Sequence, residues 1–208
     1  KNMPSYKLYY FPGRSVAEPI RQIFAYAGVE YEDIRVEKDK WPEYKPKMPF
    51  QQMPVLEVDG KAIPQSSAIA RYVAKQFGLQ GKDNFEAAWV DAIYDQYQDY
   101  WKFFAGFWYI HMGYAEGDIE PAREKYAEAA KLMIWPHIVK ILKSNPSGYL
   151  VGDSVTWVDF LIAEHVTIVE EELPGFIKEY PELFVHAAKI RAIPQIKKWI
   201  ETRPVTRG

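Results

Sequence analysis

The residue that most constrains this chain is Pro54, in the run Gln52-Met53-Pro54-Val55-Leu56-Glu57-Val58. Proline has no amide hydrogen to give to a sheet ladder. It therefore belongs at the entry of the strand that the following apolar, β-branched residues form. X-Pro bonds in such turns are often cis. Asp59-Gly60 then reads as a hairpin turn, Lys61 to Pro64 as a second strand, and Gln65-Ser66 as the opening of a helix. A bent loop, two strands and a polar helix start leave backbone groups free around a pocket. Such a pocket suits a small peptide-like ligand carrying a carboxylate.

The residues before it complete the pattern. Tyr6-Lys7-Leu8-Tyr9-Tyr10-Phe11 reads as a first strand, stopped by Pro12-Gly13. Ser15-Val16-Ala17-Glu18 reads as a capping box with Ser15 as N-cap. Pro19 is tolerated in the first turn. Ile20, Ile23, Phe24 and Ala27 form the apolar stripe of a helix that Gly28 ends. Residues 31–36 form a second strand, so the unit is β-α-β with parallel strands and a right-handed crossover. A polar, proline-broken stretch, residues 37–50, carries Trp41 and Lys45.

A helix over residues 66–77 closes this half at Gly78, and the remainder reads as helical. Long helices are expected over residues 85–114 and 119–144, the second kinked at Pro136. A buried helix starts at Thr156-Trp157-Val158-Asp159 with Thr156 as N-cap, and two shorter helices follow Pro181 and Pro194. The fold class is thus α/β + all-α: a thioredoxin-like βαβ-ββα domain over residues 1–80, then a helical bundle over 85–208.

Composition excludes several functions. With 26 basic and 28 acidic residues the net charge is −2, which favours neither nucleic acid nor an anionic membrane. The absence of cysteine rules out disulfides, a thiolate nucleophile, zinc–thiolate sites and thioredoxin-type redox chemistry, and fits a cytoplasmic location. No apolar run approaches the roughly 20 residues of a membrane span, and no secretory signal precedes the first strand. Lys1 and Asn2, ahead of Met3, read as additions outside the natural start. Twelve aromatic residues fall between Phe85 and Tyr114, which marks a special interior or interface on that helix. Asp91, Asp95 and Asp99 recur every fourth residue there, a pattern better explained by a solvated face than by a metal. The four histidines have no metal-like spacing.

Taken together, residues 6–11, Phe50-Gln51-Gln52-Met53-Pro54-Val55-Leu56, Gln65-Ser66-Ser67-Ala68-Ile69-Ala70-Arg71-Tyr72, Gly148-Tyr149-Leu150-Val151-Gly152-Asp153, Thr156-Trp157-Val158-Asp159, Arg191-Ala192-Ile193-Pro194 and residues 199–204 resemble the cytosolic glutathione transferases. The likeness covers nearly the whole chain. It is greatest to the nematode branch of the sigma class, related to the glutathione-dependent prostaglandin D synthases. The resemblance implies a cytoplasmic homodimer that joins glutathione, as its thiolate, to small hydrophobic electrophiles for detoxification, with no metal required.

By that resemblance Tyr10 is the catalytic tyrosine, and Trp41 and Lys45 hold the glycine carboxylate of glutathione. Gln52, Met53 and Pro54 pair with the cysteinyl backbone, Gln65 and Ser66 grip the γ-glutamyl end, and Asp99 reaches the ligand from the partner subunit. The chain departs from the sigma pattern at Val16, where many members carry arginine; Arg14 is the substitute. It also departs at Gln98, where the prostaglandin synthases have the third acid of an interfacial metal cluster with Asp95 and Asp99. Two alternatives stand beside the main reading: a glutathione-dependent prostaglandin-H2 D-isomerase, and a noncatalytic binder of hydrophobic molecules such as haem.

Overall fold

A computed structural model describes residues 4–206; Lys1 and Asn2, read as additions, lie outside them. Strand β1 (Tyr6–Tyr10), helix α1 (Glu18–Ala27) and strand β2 (Glu32–Arg35) form the β-α-β unit, with β1 and β2 parallel. Strands β3 (Val55–Val58) and β4 (Lys61–Pro64) form an antiparallel hairpin, and β3 pairs antiparallel with β1. The sheet order is β2-β1-β3-β4. The Met53–Pro54 bond is cis. Helix α3 (Ser66–Gln76) follows β4, and α1 and α3 pack together. Leu8, Ile20, Ile23, Phe24, Leu56 and Ile69 are fully buried, each side chain contributing about 1.5–3 kcal/mol.

The helical part comprises α4 (Asn84–His111), α5 (Ile119–Ala129), α6 (Trp135–Ser144), α7 (Trp157–Glu172), α8 (Pro181–Arg191) and α9 (Pro194–Thr202). Helix α7 is apolar nearly all round and buried, packed against α1, α4 and α8. Its Thr156–Asp159 capping box is formed. The amide of Trp157 donates to the carbonyl of Leu79 at 3.0 Å, which fastens α7 to the segment after α3.

Four local expectations are corrected. Ser15 is not an N-cap: it has φ +38°, lies in a 3-10 turn over Ser15–Ala17, and α1 begins at Glu18 with no side-chain cap. The polar, proline-broken stretch, given no element of its own, holds a short helix, α2 (Trp41–Tyr44), because Pro42 and Pro46 fit the first turns of α2 and of the 3-10 turn Lys45–Lys47. The helix expected over 119–144 is interrupted by a π turn at Ala130–Ile134, after which Pro136 sits in the first turn of α6. Helix α4 stops at His111, short of Tyr114, with Gly113 at φ +71° just beyond.

Candidate functional site

Sheet register gathers the site. Tyr9 pairs with Val55, and Val55 pairs with Pro64, so these three residues form one row across β1, β3 and β4. Tyr10, Pro54 and Gln65 each lie one residue beyond that row, at the same end of three neighbouring strands. Among the described residues, the peptide groups of Met53 have no hydrogen-bond partner. A peptide-like ligand laid there could pair with them as an added strand.

Tyr10 ends β1, and its carbonyl accepts from the amide of Val36 at 2.8 Å. Its ring lies 5.7 Å from Phe11, whose ring lies 5.5 Å from Trp41. Burial raises the Tyr10 hydroxyl above its usual pKa; the neighbouring Ser15 hydroxyl and the charge of Arg21 pull the other way. The phenol is therefore protonated at neutral pH and available as a donor. The hydroxyls of Tyr109 and Tyr114 lie close enough to oppose its ionisation. Both rings are largely exposed and offer an aromatic face beside the phenol.

Gln65 has φ 73° and ψ 121°, a conformation costly for a residue with a side chain. It offers no side-chain cap to α3, so the first amides of that helix face the pocket end of the sheet without one. From α4, the hydroxyl of Tyr94 lies close enough to Ser67 and Ser66 for them to favour its ionised form, against the burial that raises its pKa. Lys45 and Gln52 are exposed, and Trp41 is half-buried.

Two further expected residues have charged partners of their own. Arg14 is buried, with Nη1 donating to Glu164 at 3.1 Å and Nη2 paired with Glu171. It borders a cavity of about 520 Å³ that Arg191, Arg203, Glu171 and Glu172 also line. Asp99 lies exposed on α4 and pairs with Lys102 at 3.1 Å. Asp91 and Asp95 both engage Arg71, at 2.7 and 3.2 Å. Among the described residues no group of three or more acidic, histidine or cysteine side chains could hold a metal ion.

Sequence reasoning missed Ser15 as a partner of Tyr10, and it missed Arg21. The guanidinium of Arg21 is completely buried and lies 5.9 Å from the centre of the Tyr10 ring. The signal was present: Arg21 and Gln22 interrupt the apolar run Ile20–Phe24 of a helix buried on that side.

The chain matches the family model described as "Glutathione S-transferase, N-terminal domain" over residues 4–75 and "Glutathione S-transferase, C-terminal domain" over residues 103–203. It is 50% identical to the probable glutathione S-transferase 5 of Caenorhabditis elegans over 206 residues, 98% of this chain and 99% of that one. It is 38% identical to the human hematopoietic prostaglandin D synthase over 207 residues, 99% of this chain and 100% of that one. Among solved structures, the monomeric Na-GST-3 of the hookworm Necator americanus superposes with a TM-score of 0.92 at 50% identity, covering 98% of this chain and 100% of that one. With both halves of the fold matched and the likeness running end to end, this chain belongs to the glutathione S-transferase family.

Proposed function

We propose that this transferase binds glutathione along the sheet end marked by Tyr10, Pro54 and Gln65, and that Tyr10 keeps the sulfur ionised for attack on a hydrophobic electrophile. The observation that carries the reading is the shared register of those three residues beside the unpaired peptide groups of Met53. Met53 holds the cysteinyl backbone, with Gln52 and Pro54 shaping the segment. Gln65 and Ser66 take the γ-glutamyl end, and Trp41 and Lys45 take the glycine carboxylate. Arg14, in the loop after Tyr10 and held by Glu164 and Glu171, completes the glutathione-binding set. The division into domains 1–80 and 85–208 is supported by the extents of the two family matches.

The thiol proton leaves for solvent, the Tyr10 hydroxyl donates to the anionic sulfur, and the sulfur forms a bond to the electrophilic carbon as the leaving group departs. A free thiol of pKa near 8.5 is only about 3% ionised at pH 7. Lowering that pKa by about two units raises the thiolate fraction roughly 25-fold. The accompanying fall in nucleophilicity removes about 8-fold, leaving a net gain near 3-fold. Most of the acceleration therefore comes from holding thiolate and electrophile together. Phe11, Tyr109 and Tyr114 supply the apolar face on which the electrophile rests.

The test is Tyr10→Phe, assayed with glutathione and a chlorinated dinitrobenzene. Glutathione binding is retained, while the rate at about pH 6.5 falls at least about sixfold and the deficit narrows above the pKa of the free thiol. Full activity at that acidic pH would exclude Tyr10 as the activating donor. A second reading, isomerisation of a prostaglandin endoperoxide, is favoured by the 38% identity to the human prostaglandin D synthase, and turnover of that substrate decides it.

A cytoplasmic homodimer completes the proposal. Phe50, Phe85 and Trp89 are 62%, 72% and 49% exposed, apolar side chains that a second copy would cover. Asp99, exposed on α4, would then reach the partner's ligand. Among the described residues no helix is long and apolar enough to cross a membrane. Sedimentation at twice 24.2 kDa supports the dimer; sedimentation as the monomer, the state of the hookworm neighbour, refutes it.

A further inference from the structure

Buried charges tie the end of α9 to the loop that follows Tyr10. Arg203 Nη1 and Trp199 Nε1 both donate to Glu18 Oε1, each at 2.6 Å. The other oxygen of Glu18 accepts from Arg21 Nη1 at 3.3 Å. Arg21 Nη1 also donates to the carbonyl of Gly13 at 2.8 Å, and Nη2 to that of Phe11 at 3.4 Å. Glu18 and Arg21 have no exposed surface. Arg203 further donates to Glu164 at 3.2 and 3.3 Å, and Glu164 also accepts from Arg14 and Gln22.

A carboxylate so placed is held ionised by its partners alone. Glu18 faces two guanidiniums and one indole N–H. The fork of Arg21 clamps two carbonyls of the loop after Tyr10 and lies over the Tyr10 ring. Arg21 is held from two sides, by Glu18 and by Asp33 of β2, which accepts from its Nε at 3.2 Å; Glu18 thus helps to set where Arg21 sits, and Arg203 with Trp199 sets where Glu18 sits. We propose that Arg203 and Trp199 are positioning residues for Tyr10, acting through Glu18 and Arg21 from the far end of the chain.

This inference rests on Tyr10 as the donor to the glutathione sulfur. A role confined to anchoring α9 would lower stability and leave the ionisation of bound glutathione alone; a positioning role moves that ionisation. The experiment titrates the ultraviolet thiolate band of bound glutathione in the wild type, Arg203→Met and Trp199→Phe, and measures kcat and KM against pH.

In Arg203→Met the thiolate titration is expected to rise by about half to one pH unit, with the thiolate fraction at neutral pH lower by about 1.5- to threefold and kcat at about pH 5.5 lower by about two- to threefold. KM for glutathione changes less than about twofold, and the rate deficit closes at alkaline pH. Trp199→Phe keeps an aromatic ring but loses the N–H, and shifts the same way by less. It decides the matter should Arg203→Met fail to fold. Unmoved titrations in folded variants, or a loss uniform across pH, overturn the inference alone. A wild type that shows no thiolate band with glutathione overturns the Tyr10 reading and this inference with it.

Discussion

The Nε2 atom of His165 lies 2.8 Å from the hydroxyl of Tyr100, while its Nδ1 lies 3.2 Å from that of Tyr97. Both ring nitrogens are thus engaged by neutral phenols, and the imidazole stacks on Trp135 and meets Phe104 edge-on. Among the described residues no carboxylate pairs with it. Burial alone holds its pKa down at about 3. The unfolded chain takes up a proton near pH 6.5 that the native state refuses. Stability contributed by the neutral ring is therefore complete above about 6.5 and declines as pH falls toward about 3, by up to about 1.4 kcal/mol per unit. Urea midpoints at about pH 7 and pH 5 should fall in the wild type; in His165→Gln, less stable at neutral pH, this part of the decline should vanish. An identical pH slope in both proteins would contradict the assignment.

Asp159 offers a second quantitative test. One of its oxygens accepts from the amide and the hydroxyl of Thr156 at 2.8 and 2.9 Å. The other accepts from the amide of Leu150 at 2.8 Å and contacts His186 Nε2 at 2.9 Å. It is completely buried. Thr156→Ala removes one cap bond and should cost about 1 kcal/mol. Asp159→Ala leaves several buried donors without an acceptor and should cost about 3–4 kcal/mol. Denaturant midpoints measured side by side check the ratio; equal costs would mean that the links to Leu150 and His186 contribute nothing.

What the sequence disclosed follows the range of each interaction. The Thr156–Asp159 cap spans three residues and the Asp59-Gly60 turn two, so both are written in local spelling. Pro54 at the mouth of β3 is equally local. Ser15 misled because its spelling fits a cap, yet its backbone takes φ +38° and its side chain lies near Tyr10, a neighbour fixed by the tertiary fold. Arg14 and Glu164 are 150 residues apart, Arg203 and Glu18 185 apart, and no spacing rule joins them. The pocket around Pro54 and Gln65-Ser66 was legible in the residues themselves, whereas the place of Tyr10 beside it was read from family likeness, since register across β1, β3 and β4 cannot be counted from one strand.

Gln65 supplies the last test, because its backbone and its side chain make opposite demands. At φ 73° and ψ 121° a Cβ is crowded, and holding it there costs roughly 1–3 kcal/mol. Glycine adopts such angles freely but loses about 0.5–1 kcal/mol in chain entropy on folding. Gln65→Gly should therefore stabilise the ligand-free protein by about 1 kcal/mol. If the side chain grips the γ-glutamyl end of glutathione, the same substitution should raise KM for glutathione by about tenfold. Gln65→Ala removes the grip and keeps the crowding, so it should raise KM equally without the gain in stability. Thermal unfolding and glutathione saturation curves on the two variants separate these effects. A KM unchanged in both would remove Gln65 from the binding site, and a glycine variant no more stable than the alanine one would show that the backbone is at ease.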